Sequence, residues 1–318
     1  MIIADIIAEF GAYYIKSPEN MARLVKQLNQ QSTTDTILTP FFTDDTIYRA
    51  SEGRMGRVLQ PFQKAWTPIG TIKFVPVAIE MFKMKVDCQE YPDDLEGTWL
   101  GFLSGDGIDR KTWPFIRWFI EIYLLPQALE DYEMNEIYKG VYVAPTAGTP
   151  GAAGTSMNGI RKAINDNITS GRIVPIVTGA MPTTQDAALV SYIEKFVDSI
   201  NQKYASIPMQ LAVQPDGERA FRRSLRAKYG QNTDFISGTT TLIPETNIQI
   251  RGLPSMTGSG KIWCTPKANA LHLKKKSQNM KNVQVENVDR LVKMYTDWWS
   301  GVGFVIPEIV FTNDQDLV

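Results

Sequence analysis

The sequence predicts an α+β fold, and three observations predict it. Segments with apolar residues at helical spacing are mixed with alternating, strand-like segments, without the strict succession of a doubly wound sheet. A region from Thr46 to Asp87 carries no helical stripe and is broken at Gly53, Gly56, Pro61, Pro68, Gly70 and Pro76. The chain beyond Thr239 is strand-rich. With 318 residues, 43% of them hydrophobic, the chain can bury a core of one large domain or two modest ones without staples.

Composition removes several classes of function. Lys+Arg 33 against Asp+Glu 34 leaves a net charge of -1, which argues against coating nucleic acid by charge neutralisation. Cys88 and Cys264 are far apart with no CxxC spacing, so neither a disulfide framework nor a structural zinc site is expected, and a reducing compartment is favoured. The first ten residues are apolar but have no positive flank and are interrupted by Asp5 and Glu9, unlike a signal peptide. No run approaches the ~20 apolar residues that cross a bilayer, so a soluble protein without membrane contact is expected.

Residues 1 to 31 read as two short amphipathic helices parted at Pro18. From Thr46 to Asp87 the chain reads as an extended hairpin. Ile72, Phe74, Val77, Ile79, Met81, Phe82, Met84 and Val86 alternate with charged residues, and the phase slips near Pro76 and at Phe82. Arms of about fifteen residues would reach ~50 Å at ~3.3 Å per residue, beyond the body of a chain this size. Arg49, Glu52, Arg54, Arg57 and Lys64 would then need a partner surface; a hairpin packed on its own domain is the equal alternative. A long helix capped by Asp109 is predicted from about Lys111 to Lys139, with a kink at Pro126. Trp99, Trp113 and Trp118 there read as core rather than as a stacking platform.

Small residues and prolines from Ala144 to Thr155 predict a loop at a domain boundary. A helix follows at Met157 to Ile168, then a strand at Ile173 to Val177. The next helix is capped at Thr183 or Thr184 and carries Leu189, Ile193, Phe196, Val197, Ile200 and Tyr204. A strand at Met209 to Val213 leads into a helix from Pro215 to Gly230. On that helix Arg219, Arg222, Arg223 and Arg226 share one side, as a solvated face or as an intersubunit or phosphate contact. Further strands are predicted at Thr239 to Ile243, Asn247 to Leu253, Lys261 to Thr265, Ala270 to Leu273, Val283 to Glu286 and Val302 to Phe311. One helix-like stretch lies at Val288 to Trp299.

No catalytic constellation is legible. Ser255-Met256-Thr257-Gly258-Ser259-Gly260-Lys261-Ile262 lacks the first Gly and the final Ser or Thr of a phosphate loop, so it reads as a hairpin turn between neighbouring strands. A nucleotide-binding enzyme using Gly258 to Lys261 is the alternative from another class. A nucleic-acid module using the four arginines is weaker still. His272 is the sole histidine, so any triad would be built on it; beside three lysines it reads as a surface residue. Asp44-Asp45 and Asp93-Asp94 converge on nothing visible. No cofactor and no metal are expected.

The order of these elements resembles a known family. Thr43-Asp-Asp-Thr-Ile-Tyr-Arg-Ala50 through Arg54-Met-Gly-Arg-Val-Leu-Gln-Pro-Phe-Gln-Lys-Ala-Trp66 resembles the extended loop of tailed-bacteriophage major capsid proteins of the HK-ninety-seven-type fold, especially of phages infecting Bacteroidota. Glu90-Tyr-Pro-Asp-Asp-Leu-Glu96 and Trp113-Pro-Phe-Ile-Arg-Trp-Phe-Ile-Glu121 are similar to the start of the peripheral domain and its spine helix. Tyr192 to Ile200, the strand to Pro215, the helix to Gly230 and the strand into Gly252-Leu253-Pro254 resemble the axial domain, and Val283 to Thr312 the closing elements.

The resemblance implies five regions: an N-terminal arm at 1–45, an extended loop hairpin at 46–88, a peripheral domain at 89–145, an axial domain at 146–280 and closing strands at 281–318. It implies a structural, non-enzymatic subunit that forms hexameric and pentameric capsomers of an icosahedral head around double-stranded DNA, which it contacts weakly. A portal, with scaffolding or decoration proteins, would be further partners. The virion capsid, and host cytoplasm during assembly, would be its locations. An encapsulin-like compartment shell is the alternative of the same fold. Intersubunit contacts are expected from Arg49, Arg54, Arg57, Lys64 and Trp66 of the loop, and from Arg219, Arg222, Arg223 and Arg226 of the axial helix. The Lys, Asn and Glu positions of the cross-link made by some members are not matched here, so Lys64 stands only as a candidate and that reaction is not carried over. The chain begins at the arm, which implies a separate scaffolding protein or a mature form.

Overall fold

The computed structural model describes residues 33–92, 99–100, 114–182, 187–229, 241–276 and 283–317. The predicted N-terminal helices, the Asp109 cap, Trp113 and the Thr183 or Thr184 cap lie outside them. The α+β prediction is met by two five-stranded sheets and a separate hairpin, with helices packed against both sheets.

The first sheet is organised on β11 (Leu291–Phe304), which pairs antiparallel with β4 (Phe82–Glu90) along one edge. On its other edge β10 (Gln284–Val288) pairs with the start of β11 and β9 (Ala270–Lys274) with its end. A short strand, β1 (Thr39–Phe42), adds parallel to β9. The helix expected at Val288 to Trp299 is therefore corrected to strand. Val292, Met294 and Thr296 are buried and alternate with more exposed Leu291, Lys293, Tyr295 and Asp297, a period of two that pairing on both edges enforces. The strand expected to run from Val302 to Phe311 ends at Phe304 and gives way to a 3-10 turn at Pro307–Ile309.

The hairpin consists of β2 (Ile47–Met55) and β3 (Ile72–Glu80), paired antiparallel from Ile47↔Glu80 to Met55↔Ile72. Its arms are nine residues, not fifteen. The phase slip at Phe82 marks where the chain leaves the hairpin: Met81 N–H donates to Thr46 C=O at 2.9 Å, and β4 enters the first sheet. Val77, Ile79 and Met81 at the root are buried against Leu271 and Leu273. The root crosses β11 at Gly301 and Gly303, where the backbones meet too closely for a side chain. A Cβ on Gly301 would lie 2.3 Å from the Glu80 carbonyl oxygen, and one on Gly303 2.8 Å from Ile79 Cγ2.

The long helix comprises α1 (Phe115–Phe119) and α2 (Leu125–Asp131), each followed by a π turn, at Ile120–Leu124 and Tyr132–Glu136. From Phe115 to Glu136 it spans about 33 Å at ~1.5 Å per residue. Pro126 falls in the first turn of α2, directly after a π turn that widens the spiral where proline has no N–H to give. Trp99, Phe115 and Trp118 are buried together, the core reading of the tryptophans.

The second sheet has the order β12-β8-β5-β7-β6, made of β5 (Met209–Val213), β6 (Thr241–Leu242), β7 (Ile248–Gly252), β8 (Trp263–Thr265) and β12 (Phe311–Thr312). Because β5 lies between β7 and β8, the Gly258 segment is not a hairpin turn between those strands but a connection past the end of β5. Packed on this sheet are α4 (Ala187–Asp198) and α5 (Pro215–Tyr229), through Ile193, Phe196, Phe221 and Leu225. Ile173 to Val177 forms a single bridge, Ile176↔Asn313, instead of the expected strand, and Val174 and Val177 face outward. A second cluster joins the sheets: Met84, Ile137, Tyr138, Trp263, Val302 and Phe304 meet Ile160 and Ile164 of α3 (Ile160–Thr169).

The glycine crossing gives a direct test. Gly301→Ala is expected to lower the urea midpoint by the equivalent of about 2–3 kcal/mol through overpacking against the hairpin root. Gly260→Ala, whose Cβ would meet nothing nearer than Gln315 Cβ at 3.7 Å, is expected to stay close to wild type.

Candidate functional site

The hairpin is buried at one end only. Beyond its root the apolar side chains turn to water: Phe62 is 93% exposed, Trp66 91%, Leu59 82% and Phe74 70%. Large exposed apolar residues in one element mark an interaction surface, because a soluble monomer rarely carries such a patch. The tip, residues 56–71, is ordered by its own contacts. Gln60 Nε2 donates to the Thr67 carbonyl at 2.6 Å, Gln63 Nε2 to Thr67 Oγ1, and Arg57 Nε to the Leu59 carbonyl at 3.1 Å. Gly70, at φ +87°, closes the tip against Val58 and the Arg57 carbonyl, a conformation and a fit that require glycine. Covering Leu59, Phe62 and Trp66 would gain about 1.5–3 kcal/mol each, enough to fix a tip that buries little against its own chain.

Arg49, Arg57 and Lys64 are exposed along this same element with Trp66, so the structure brings four of the five predicted loop residues onto one projecting hairpin. The side chains of Arg54 and of Arg226 lie outside the described residues. On α5, Arg219 pairs with Asp216 and Arg222 with Glu218, so the predicted basic face is partly neutralised within its own helix. Lys228 bridges to Glu194 of α4. Glu218 also accepts the Gly252 N–H at 2.6 Å, which staples α5 to β7.

Lys261 cannot serve a phosphate. Its side chain is 0% exposed, and Nζ has no hydrogen-bond partner. Burial lowers its pKa to about 8 even though the charge of Asp316 acts in the opposite direction. Asp316 itself is held by Ser259 Oγ at 2.6 Å and Arg161 at 3.2 Å. The nucleotide reading of Gly258 to Lys261 is thereby overturned: the amine points into the protein.

His272, expected at the surface, is corrected to the centre of a buried polar cluster, because β9 is covered on both faces. Its Nδ1 meets Asp35 Oδ1 at 2.5 Å, and its Nε2 lies 2.8 Å from Ser300 Oγ and 2.9 Å from the Tyr132 hydroxyl. Lys274 Nζ donates to Asp35 Oδ2 at 3.1 Å. Burial would raise the pKa of Asp35, but the hydrogen bonds and charges of His272 and Lys274 prevail and hold it below the usual carboxylate value. Burial lowers the pKa of His272 despite Asp35. The state these directions favour is an ionised Asp35 accepting from Nδ1–H of a neutral imidazole, whose Nε2 accepts from a hydroxyl.

Ser300, His272 and Asp35 thus stand in the order of a hydrolase relay. They cannot act as one in this arrangement. Ser300 is 2% exposed, and the Tyr132 hydroxyl sits 2.8 Å from its Oγ, in the space a substrate carbonyl would need. Burial keeps that phenol protonated, its pKa well above the ordinary value. The cluster is a structural tie between β9, β11, the long helix and the Thr34–Ile37 turn. Sequence reasoning missed Asp35, Tyr132 and Ser300; the one signal was His272 set between two leucines in a strand.

Solved structures with the same architecture exist. A chain of the satellite phage P4 procapsid including size determination (Sid) protein is 11% identical, with a TM-score of 0.57 over 92% of this chain and 89% of that one. A chain of the capsid of the empty GTA particle is 12% identical, with a TM-score of 0.52 over 89% and 90%, and the native GTA particle gives the same values. The chain has a phage-capsid fold. At such identities the shared property is the order and packing of elements, and the capsid fold expected from that order is the fold found. No protein-family model matches the chain, and no curated protein matches it in sequence.

Two substitutions separate the buried charges of this capsid fold. Asp35→Ala is expected to cost about 3–5 kcal/mol in urea unfolding, because it strands Lys274 inside the protein. Lys261→Met removes an amine that no group satisfies, so an unchanged or raised midpoint is expected.

Proposed function

We propose that this chain is the major capsid protein of a tailed phage, a structural subunit that assembles into hexamers and pentamers of an icosahedral head around double-stranded DNA. The observation that carries the reading is a capsid fold over nine-tenths of the chain whose hairpin leaves its largest apolar side chains uncovered. A second copy of the subunit is the natural cover: residues 46–88 would lie across a neighbour, with Arg49, Arg54, Arg57, Lys64 and Trp66 in the contact. The side of α5 carrying Arg219, Arg222, Arg223 and Arg226 would face another copy within the capsomer. In-helix pairing of Arg219 and Arg222 supports a protein contact over a phosphate one.

In this reading residues 1–45 form the arm, 89–145 the peripheral domain, 146–280 the axial domain, and 281–318 the return to the peripheral domain. A portal, scaffolding or decoration proteins, and assembly in the host cytoplasm complete the proposal. The finer resemblance, to capsid proteins of phages infecting Bacteroidota, rests on the loop sequence.

Negative-stain microscopy of the purified chain, beside size exclusion with light scattering, tests the reading. Shells, capsomer rings or open sheets are expected. A clean monomer, with and without crowding salts, counts against self-assembly. Trp66→Ala or Arg57→Glu is expected to abolish or sharply reduce these assemblies while the unfolding midpoint stays within about 0.5 kcal/mol of wild type, as for an exposed position. Equal loss of both would sink the projecting-loop contact.

A further inference from the structure

The long helix is open along one line. From Glu121 to Asp131 its exposed residues come in pairs four apart: Ile122 and Tyr123, Pro126 and Gln127, Glu130 and Asp131. That spacing places all six on one stripe, about 14 Å long at ~1.5 Å per residue. Its first half is apolar. Ile122 is 42% exposed and Tyr123 47%, and both fall in the Ile120–Leu124 π turn, a form frequent at functional sites. Trp118 and Phe119, with ring centroids 5.1 Å and 6.0 Å from that of Tyr123, hold its ring in place. Its second half is acidic. Of the five carboxylates between Phe115 and Glu136, three are engaged within the chain: Glu121 with Arg117, Glu133 with Thr34, and Glu136 with Gly154 and Ser156. Glu130 and Asp131 pair with no cation among the described residues, and Gln127 Nε2 donates to Asp131 Oδ1 at 3.0 Å.

The hairpin tip has the complementary composition. Residues 56–71 contain Arg57 and Lys64 and no acid, beside the exposed Leu59, Phe62 and Trp66. Neither cation meets a carboxylate among the described residues; Arg57 Nε donates only to the Leu59 carbonyl. Tip and stripe are both uncovered within one chain, so they do not satisfy each other in the same copy.

We propose that this stripe receives the hairpin tip of a second copy of the chain, with Phe62 and Trp66 on Ile122, Tyr123 and Pro126, and Arg57 and Lys64 on Glu130 and Asp131. The inference rests on the self-assembly reading above and adds to it the surface that the hairpin grips. Lys64 and Trp66 stand at most ~7 Å apart along the chain, so one tip spans both halves of the stripe. The apolar half supplies the burial. The charges set direction and register, because a reversed tip places Lys64 over Ile122 and leaves Glu130 and Asp131 unpaired. The contact is heterologous: each copy gives a tip and receives another, which builds a ring wherever the rotation between copies closes.

Photo-crosslinking of the full-length chain tests the site. Phe62→p-benzoylphenylalanine keeps an aromatic ring at an exposed position of the tip. Light and heavy-isotope chains carrying it are mixed, irradiated and digested, so that mixed-isotope peptides report contacts between copies. Mixed peptides joining the tip to the long helix are expected. Particles whose mixed peptides lie elsewhere, or that give none, overturn the receiving site and leave self-assembly standing; a monomer without mixed peptides overturns both. Charge reversal gives a second readout. Lys64→Glu is expected to raise the concentration at half-assembly at least about tenfold, and adding Glu130→Lys and Asp131→Lys to the same chain is expected to recover most of that loss. No recovery, with every variant unfolding at the wild-type midpoint, overturns the pairing of these charges.

Discussion

The fold depends on the close passage of the hairpin root over β11. Two glycines, Gly301 and Gly303, let Glu80 and Ile79 approach a strand that is already paired on both edges. That contact fixes where the hairpin leaves the body. It also sets the register around it, since β11 pairs with β4 on one side, with β10 and β9 on the other, and through β9 with β1. Leu271 and Leu273 of β9 close the root from beneath, so the same strand carries the hairpin and the buried histidine.

Two kinds of interaction are thereby kept apart. Apolar burial fixes the body: one cluster joins the sheets and another lies under α4 and α5. Buried carboxylates serve as ties between distant segments, with Glu133 and Asp35 joining the Thr34–Ile37 turn to the long helix and β9, and Glu136 holding the loop at Gly154 and Ser156. The most exposed of the large apolar side chains, Phe62, Trp66 and Leu59, sit on the hairpin. A buried carboxylate specifies the fold of one chain, while the uncovered Trp66 contributes nothing to that fold.

Much of this was legible in the sequence where local signals are strong. The breaks from Gly53 to Pro76 marked extended chain, and the apolar stripe of Leu189, Ile193, Phe196 and Val197 marked α4. What failed was decided by distant partners. Leu291, Val292, Met294, Tyr295, Trp298 and Trp299 fit a helical period as well as a strand, and only pairing with β4 and β10 decides between them. The Gly258 segment reads as a hairpin turn until β5 is seen to come between its neighbours. Of the candidate site, the hairpin residues could be named because their sequence is irregular and over-rich in exposed-type charges and aromatics. The buried cluster could not, since Asp35 and His272 are 237 positions apart and neither has a local reason to find the other.

The hairpin root has a mechanical consequence. Nine paired residues make an arm of about 30 Å at ~3.4 Å per residue, clamped at its root where it passes over Gly301 and Gly303. On so long a lever, a bend of about 6° carries the tip by about 3 Å. In the proposed shell, two copies that meet at slightly different angles would keep the same grip at Phe62 and Trp66, with the body of each left undistorted and the difference in curvature taken up by the arm.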